Sequence, residues 1–273
     1  MKSGHRQTCT LIAVIVMLLF IASTVAGTRA VVAGRDQDKP PSIVDIPILN
    51  YHKVDTIHHS LSVLPENFEK QMAYLNDNGF HTITPDQLMA YLKFGKPLPE
   101  KPVMITFDDG YLDNYANAFP SMKKYGFTGT IFLVTAKIGQ DQRFMNWDQV
   151  REMQQAGFVF GSHTANHTAL TKVDAAQAEA ELVGSRDEME RQLGQKPRYF
   201  AYPTGTYNLQ IEQAVRQAGY RAAFTVRYGQ VGPDSDLYAL ERIPIFQSEN
   251  TFRSFFIRLN GATLLERLGM IRN

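Results

Sequence analysis

From residue 43 onward, short apolar runs alternate with stretches of helical periodicity. Residues 46–51, 103–107, 129–134, 158–161, 199–202 and 222–226 are runs rich in β-branched and aromatic side chains, and each reads as a strand. Between them, residues 66–78 place Phe68, Met72, Tyr74 and Leu75 on one stripe and stop at Gly79, a helix ending in a residue that tolerates a left-handed backbone. Residues 115–124, 147–155, 174–193 and 210–217 read as further helices, closed by Gly126, Gly157, Gly194 and Gly219. Strands alternating with helices predict an α/β fold with a mostly parallel sheet. At this length one barrel-like closure is expected rather than two domains, with the chemistry at the C-terminal ends of the strands.

The first residues follow another pattern. Lys2, His5 and Arg6 precede an unbroken apolar run over 11–20, and small residues continue to Ala26 and Gly27. This is the layout of a secretory signal peptide over residues 1–27. The rival is an uncut anchor that would tether the protein to a membrane, because 11–27 lies at the short end of the roughly 17–25 residues that span a bilayer. Both readings put the remainder outside the cytoplasm: periplasmic, cell-surface or secreted. Residues 28–42, polar and holding Pro40-Pro41, read as a linker, and residues 43–273 as a single domain.

Composition narrows the function classes. The 273 residues are 44% hydrophobic and 20% charged, with a net charge of +1, which fits a folded globular chain and gives no electrostatic footprint for nucleic acid. The single cysteine, Cys9, lies in the leader, so the mature chain has no disulfide, thiolate nucleophile or cysteine metal ligand. Composition says nothing about oligomeric state.

Three strand ends carry unusual polar residues: Thr106-Phe107-Asp108-Asp109-Gly110, Gly161-Ser162-His163-Thr164-Ala165-Asn166-His167, and Tyr202-Pro203-Thr204-Gly205. Four of the seven histidines (His5, His58, His59 and His81) read as solvated or core side chains. His163 and His167 are four apart, which puts two imidazoles on one face if the segment coils. Asp108-Asp109-Gly110 alone could be a turn. At a strand end, however, neighbouring side chains diverge, so one carboxylate can ligate a cation while the other stays free as a base. Two His and one Asp leave open positions on a divalent metal, as catalytic sites do.

These segments, together with Arg198-x-x-x-Tyr202-Pro203-x-Gly205, resemble the signature motifs of the polysaccharide deacetylases, carbohydrate esterase family 4, in order and rough spacing. The resemblance runs from Ile46 to about Ile245. It implies a distorted (β/α) barrel, a divalent metal, usually zinc, and a polysaccharide substrate. By the same resemblance Asp109, His163 and His167 bind the metal, Asp108 is the general base, Arg198 holds Asp108, and the Tyr202 backbone N–H helps stabilise an oxyanion. Two positions depart from the pattern. His167 is followed by Thr168 rather than proline, and no histidine follows His167 to serve as the late general acid. Instead His52, in Leu49-Asn50-Tyr51-His52-Lys53, resembles the acid of the permuted branch, which includes the exopolysaccharide deacetylases.

The expected activity is therefore metal-dependent removal of N-acetyl groups from N-acetylhexosamine units of an exopolysaccharide, peptidoglycan or chitin-like chain. The alternatives are an inactive glycan-binding module of the same fold and an amidase of small cyclic amides. Tyr111 is expected to line the site. Trp147, the only tryptophan, reads as a core residue at a helix start, Arg242 as structural, and residues 251–273 as an amphipathic segment packing on the barrel.

Overall fold

The structure, a computed structural model, describes residues 45–57, 59–245 and 252–267, the last with side chains to residue 261. The expected leader and linker, with Cys9 and His5, lie outside the described residues, as does His58.

The parallel strands are β1 (Ile48–Tyr51), β4 (His81–Thr82), β5 (Pro102–Asp109), β6 (Thr130–Leu133), β7 (Val159–Ser162), β8 (Tyr199–Ala201), β9 (Ala222–Tyr228) and β10 (Leu240–Pro244); β2 (Lys53–Val54) and β3 (Ser62–Val63) form a small separate pair. The order β1-β10-β9-β8-β7-β6-β5 closes on itself because β1 also pairs with β5, making a seven-stranded barrel. Short β4 pairs only with the first two residues of β5. The parallel barrel expected from the strand–helix alternation is therefore present, and β4 at its margin is the distortion.

The helices are α1 (Pro65–Asp77), α2 (Pro85–Phe94), α3 (Phe119–Lys124), α4 (Trp147–Gln155), α5 (Ala175–Leu193), α6 (Leu209–Gln217) and α7 (Phe252–Arg267). The expected helix over 115–124 is instead a π-helical turn, Asn114–Ala118, running into α3. Helix α2 and strand β10 are additions to the sequence reading. Helix α2 does have a sequence signature, the Thr84/Gln87 capping box with Pro85 in the first turn. In β10, Pro244 at the end of a short run masks the strand.

Alternation along each strand sorts the core. Ile48, Met104, Phe132, Ala201, Phe224 and Leu240 form one apolar cluster, whereas their neighbours Leu49, Ile105, Ile131 and Leu133 pack in a cluster with Phe68 and Met72 of α1 and Val150 and Met153 of α4. The first set fills the barrel and the second lies under the helices. Gly161 in β7 allows this packing, because a β-carbon there would fall 2.6 Å from the Phe132 ring and 2.8 Å from the Tyr199 carbonyl. Trp147 packs on the helix-side cluster, as expected of a core residue. Phe255 and Leu259 of α7 are buried in that cluster too, and Tyr74 of α1 meets Phe252 and Phe255 edge-on, so the described part of the tail packs on the barrel.

Candidate active site

Register sets the site. Asn50 pairs with Thr106 and Tyr51 with Phe107 across β1–β5, which leaves His52 at the strand end beside Asp108. Asp109 pairs with Leu133, and Leu133 with Ser162, so Asp109 and His163 leave the barrel at one level with β6 between them. Met104, Thr106 and Asp108 fall on the same side of β5, the barrel interior. Asp109, next in the strand, reaches the same cavity beside His163 and His167. It has φ +74°, a left-handed conformation costly for a non-glycine residue, and Gly110 follows with φ +85° against Leu133.

The two carboxylates have opposite environments. Asp108 accepts two parallel hydrogen bonds from Arg242, Nη1 to Oδ1 at 2.8 Å and Nη2 to Oδ2 at 2.8 Å, and a third from Asn50 Nδ2 at 3.0 Å. Burial would raise its pKa, but the Arg242 guanidinium, with His163 and His52, outweighs burial and holds Asp108 well below the usual carboxylate range. Asp109 lacks such a clamp. Burial and the neighbouring Asp108 charge, opposed by His163, push it up to about 6. Burial and the Asp109 charge push the Tyr111 hydroxyl up and keep the phenol protonated.

Asp109 Oδ1 lies 3.7 Å from His163 Nε2 and 3.3 Å from His167 Nε2, and the three ligand atoms all fall within 4.8 Å of one another. A tetrahedral zinc with ligands at about 2.0–2.1 Å needs ligand–ligand edges of about 3.3–3.4 Å. The two Asp109 edges are close to that value, and the trio as a whole is compact enough to hold a small divalent cation. His163 Nδ1 contacts the Ala201 carbonyl at 2.8 Å, which makes Nδ1 the donor and turns the lone pair of Nε2 toward Asp109. Burial lowers the pKa of both imidazoles, favouring the neutral, ligating form.

His52 Nε2 lies 3.8 Å from Asp108 Oδ2. Burial lowers its pKa, Asp108 opposing and Arg242 assisting. Its carbonyl accepts from Asn114 Nδ2 at 2.8 Å, so the π-helical turn steadies this strand end. A cavity of about 440 Å³ opens over the site. His52, both aspartates, His163 and His167 line its floor, and Leu61, Tyr111, Val134, Phe144, Tyr202 and Val226 supply apolar wall. Tyr111 lines the site as expected, with its ring stacked on Phe144 at 4.7 Å.

Two expected residues do not take their expected places. Arg198 precedes β8, at the barrel end opposite the cavity, and binds Asp86 at 2.6 Å on the surface. The guanidinium on Asp108 belongs to Arg242, which the sequence reading set aside as structural. Arg242 is fully buried, follows a shift in the β9–β10 register, and also reaches the Thr225 carbonyl at 2.7 Å. The Tyr202 N–H is donated to the Phe224 carbonyl at 3.0 Å, a barrel hydrogen bond that removes it as an oxyanion donor. The Tyr202 ring still lines the cavity. So does Thr204, whose φ of +60° marks it as the strained residue of that loop.

A parallel barrel with a carboxylate pair and two imidazoles at its C-terminal mouth defines a hydrolase with a candidate metal centre. Residues 95–223 match the profile of a family described as polysaccharide deacetylase. YxkH of Bacillus subtilis, whose name places it in that family, is 36% identical over 200 residues, 73% of this chain and 71% of its own. The Staphylococcus aureus poly-β-1,6-N-acetyl-D-glucosamine N-deacetylase is 26% identical over 90% of this chain and 94% of its own. Among solved structures, the Streptococcus pyogenes deacetylase PplD in complex with acetate superposes with a TM-score of 0.75 at 28% identity, covering 80% of this chain and all of that one. The chain belongs to the polysaccharide deacetylase family.

Proposed function

We propose that the protein hydrolyses the N-acetyl amide of N-acetylhexosamine units in an extracellular polysaccharide, with a divalent cation, zinc first, held by Asp109, His163 and His167. One observation carries this reading: three ligand atoms within 4.8 Å of one another beside a second, separately clamped carboxylate. Two histidines and one carboxylate suit zinc and leave positions open for substrate. When bound, the cation would polarise the amide carbonyl and acidify water.

The chain's own groups supply the remaining chemistry. Asp108 stays ionised and faces the cavity, so it can take the proton of the attacking water. Arg242 and Asn50 fix its two oxygens. Because those contacts make it a weak base, the proton is passed on rather than kept. His52, with Nε2 3.8 Å from Asp108 Oδ2 and neutral at rest, takes up that proton to become the imidazolium and then delivers it to the departing sugar nitrogen. With the Tyr202 N–H committed, Thr204 is the candidate among the loop residues for contact with the developing oxyanion. The apolar walls suit an acetyl methyl and the face of a sugar ring.

Poly-β-1,6-N-acetylglucosamine is the first substrate to test, because the relative named for it aligns along most of the chain. The test is acetate release from that polymer, peptidoglycan fragments and chitin oligomers, with chelator and with zinc restored. Zinc-dependent release supports the reading. Binding without release would leave a glycan-binding module. Residues 1–27 acting as a cleaved leader would fit this setting, and N-terminal sequencing of exported protein tests it.

A further inference from the structure

The two imidazoles are not held alike. His163 is buried, with Nδ1 fixed on the Ala201 carbonyl. The His167 side chain is 40% exposed, and among the described residues no carbonyl or carboxylate holds its second nitrogen. Its backbone is left-handed, φ +63°, and Thr164 earlier in the loop has φ +66°. Something outside the ring must hold this strained loop closed.

Both neighbours of His167 lead to one side chain. Glu181, in the middle of α5, accepts from Asn166 N at 2.9 Å, Asn166 Nδ2 at 3.0 Å and Thr168 Oγ1 at 2.7 Å. It is only 7% exposed, and its three donors flank His167 on both sides. Burial opposes the charge on Glu181, but these hydrogen bonds prevail and hold its pKa below the usual value. A second tie, Ser162 Oγ to Ser185 Oγ at 2.6 Å, joins the start of the loop to the same helix. His167-Thr168 stands where the family pattern expects proline after the histidine, so here the loop end is fixed by a hydroxyl on Glu181.

We infer that Glu181 is the positioning residue for His167, acting through the loop to keep its Nε2 on the cation site. This rests on the metal reading above. Outer-shell partners of metal ligands are typically worth about 10–100-fold in metal affinity.

The test measures zinc affinity of the full chain by chelator competition in wild type, Glu181→Gln, Thr168→Val, His167→Ala and the His167→Ala/Glu181→Gln double variant, with metal-free thermal melts alongside. The expected result is about 10–100-fold weaker zinc binding in Glu181→Gln, a smaller loss in Thr168→Val, and no further loss when Glu181→Gln is added to His167→Ala. The cobalt-substituted spectrum of Glu181→Gln should approach that of His167→Ala. If Glu181→Gln folds poorly, Thr168→Val carries the same comparison. Wild-type affinity in both variants, or an equal loss of affinity with and without His167, overturns the inference while leaving the metal reading intact. A wild type that binds no zinc sinks both.

Discussion

Arg242 and Asp108 lie 134 positions apart in the chain and meet inside the barrel through two parallel hydrogen bonds of 2.8 Å each, with both side chains essentially excluded from solvent. Planar, bidentate pairing of this kind is both strong and directional. It explains how a buried carboxylate at the cavity floor stays charged and faces one way.

Arg242→Ala should therefore be costly in two ways. It leaves an uncompensated buried charge, a loss of about 3–5 kcal/mol, and it frees Asp108 to take up a proton and turn. Urea unfolding and kcat/KM should both fall. Arg198→Ala breaks only an exposed pair with Asp86 and should cost less than about 1 kcal/mol with kcat/KM near wild type. A severe kinetic defect in Arg198→Ala, with a mild one in Arg242→Ala, would falsify the assignment.

Asp108→Asn and His163→Ala should separate proton transfer from metal binding. Asp108→Asn removes the base and keeps Asp109, His163 and His167, so turnover should drop about 10²–10⁴-fold with zinc still bound. His163→Ala should lose zinc and turnover together. Elemental analysis of the purified variants beside acetate release reads both quantities, and near-normal rates in Asp108→Asn would remove it from the mechanism.

His52→Gln should lower kcat by about 10²–10⁴-fold while leaving zinc content unchanged, since its ring faces Asp108 rather than the ligand trio. Because burial lowers the His52 pKa, the limb of the pH–rate profile due to this group should lie below the ordinary histidine range and vanish in the variant. An unchanged profile would point to another acid.

Zinc affinity should rise with pH through about 6. Asp109 is pushed up to about 6 in the metal-free protein, so below that value a proton occupies an oxygen the cation needs. The sign for stability follows. A carboxyl with a raised folded pKa favours the folded metal-free state most below its unfolded value, and that contribution is lost as pH rises through about 6. Added zinc should then stabilise the protein progressively more above pH 6 than below it. Thermal melts with and without zinc from pH 5 to 8 check this, and a zinc-induced shift independent of pH contradicts it.

Much of the barrel is legible along the chain because its causes are local. Strands such as Val103–Phe107 and Gly129–Val134 announce themselves as apolar runs, and helix ends at Gly79 and Gly194 follow from backbone freedom at glycine. Helix α2 was legible too, in its capping box. Strand β10 was not, because its alternation covers few positions and contains proline.

Adjacency in sequence brought Asp108 and Asp109 together at one strand end, and a four-residue spacing brought His163 near His167, so residue type and position sufficed to nominate the trio. Which arginine serves Asp108 was beyond reach. Arg198 stood beside a recognisable motif, but it precedes its strand, and a strand's two ends lie on opposite faces of a barrel. Arg242 qualifies only because β1 closes the ring between β5 and β10. The occupation of the Tyr202 N–H by Phe224 is likewise a consequence of register between strands. Local chemistry is written in neighbouring residues. Which distant side chain fills a given space, and which backbone donor is already bonded, is set only when the strands pair and the barrel closes.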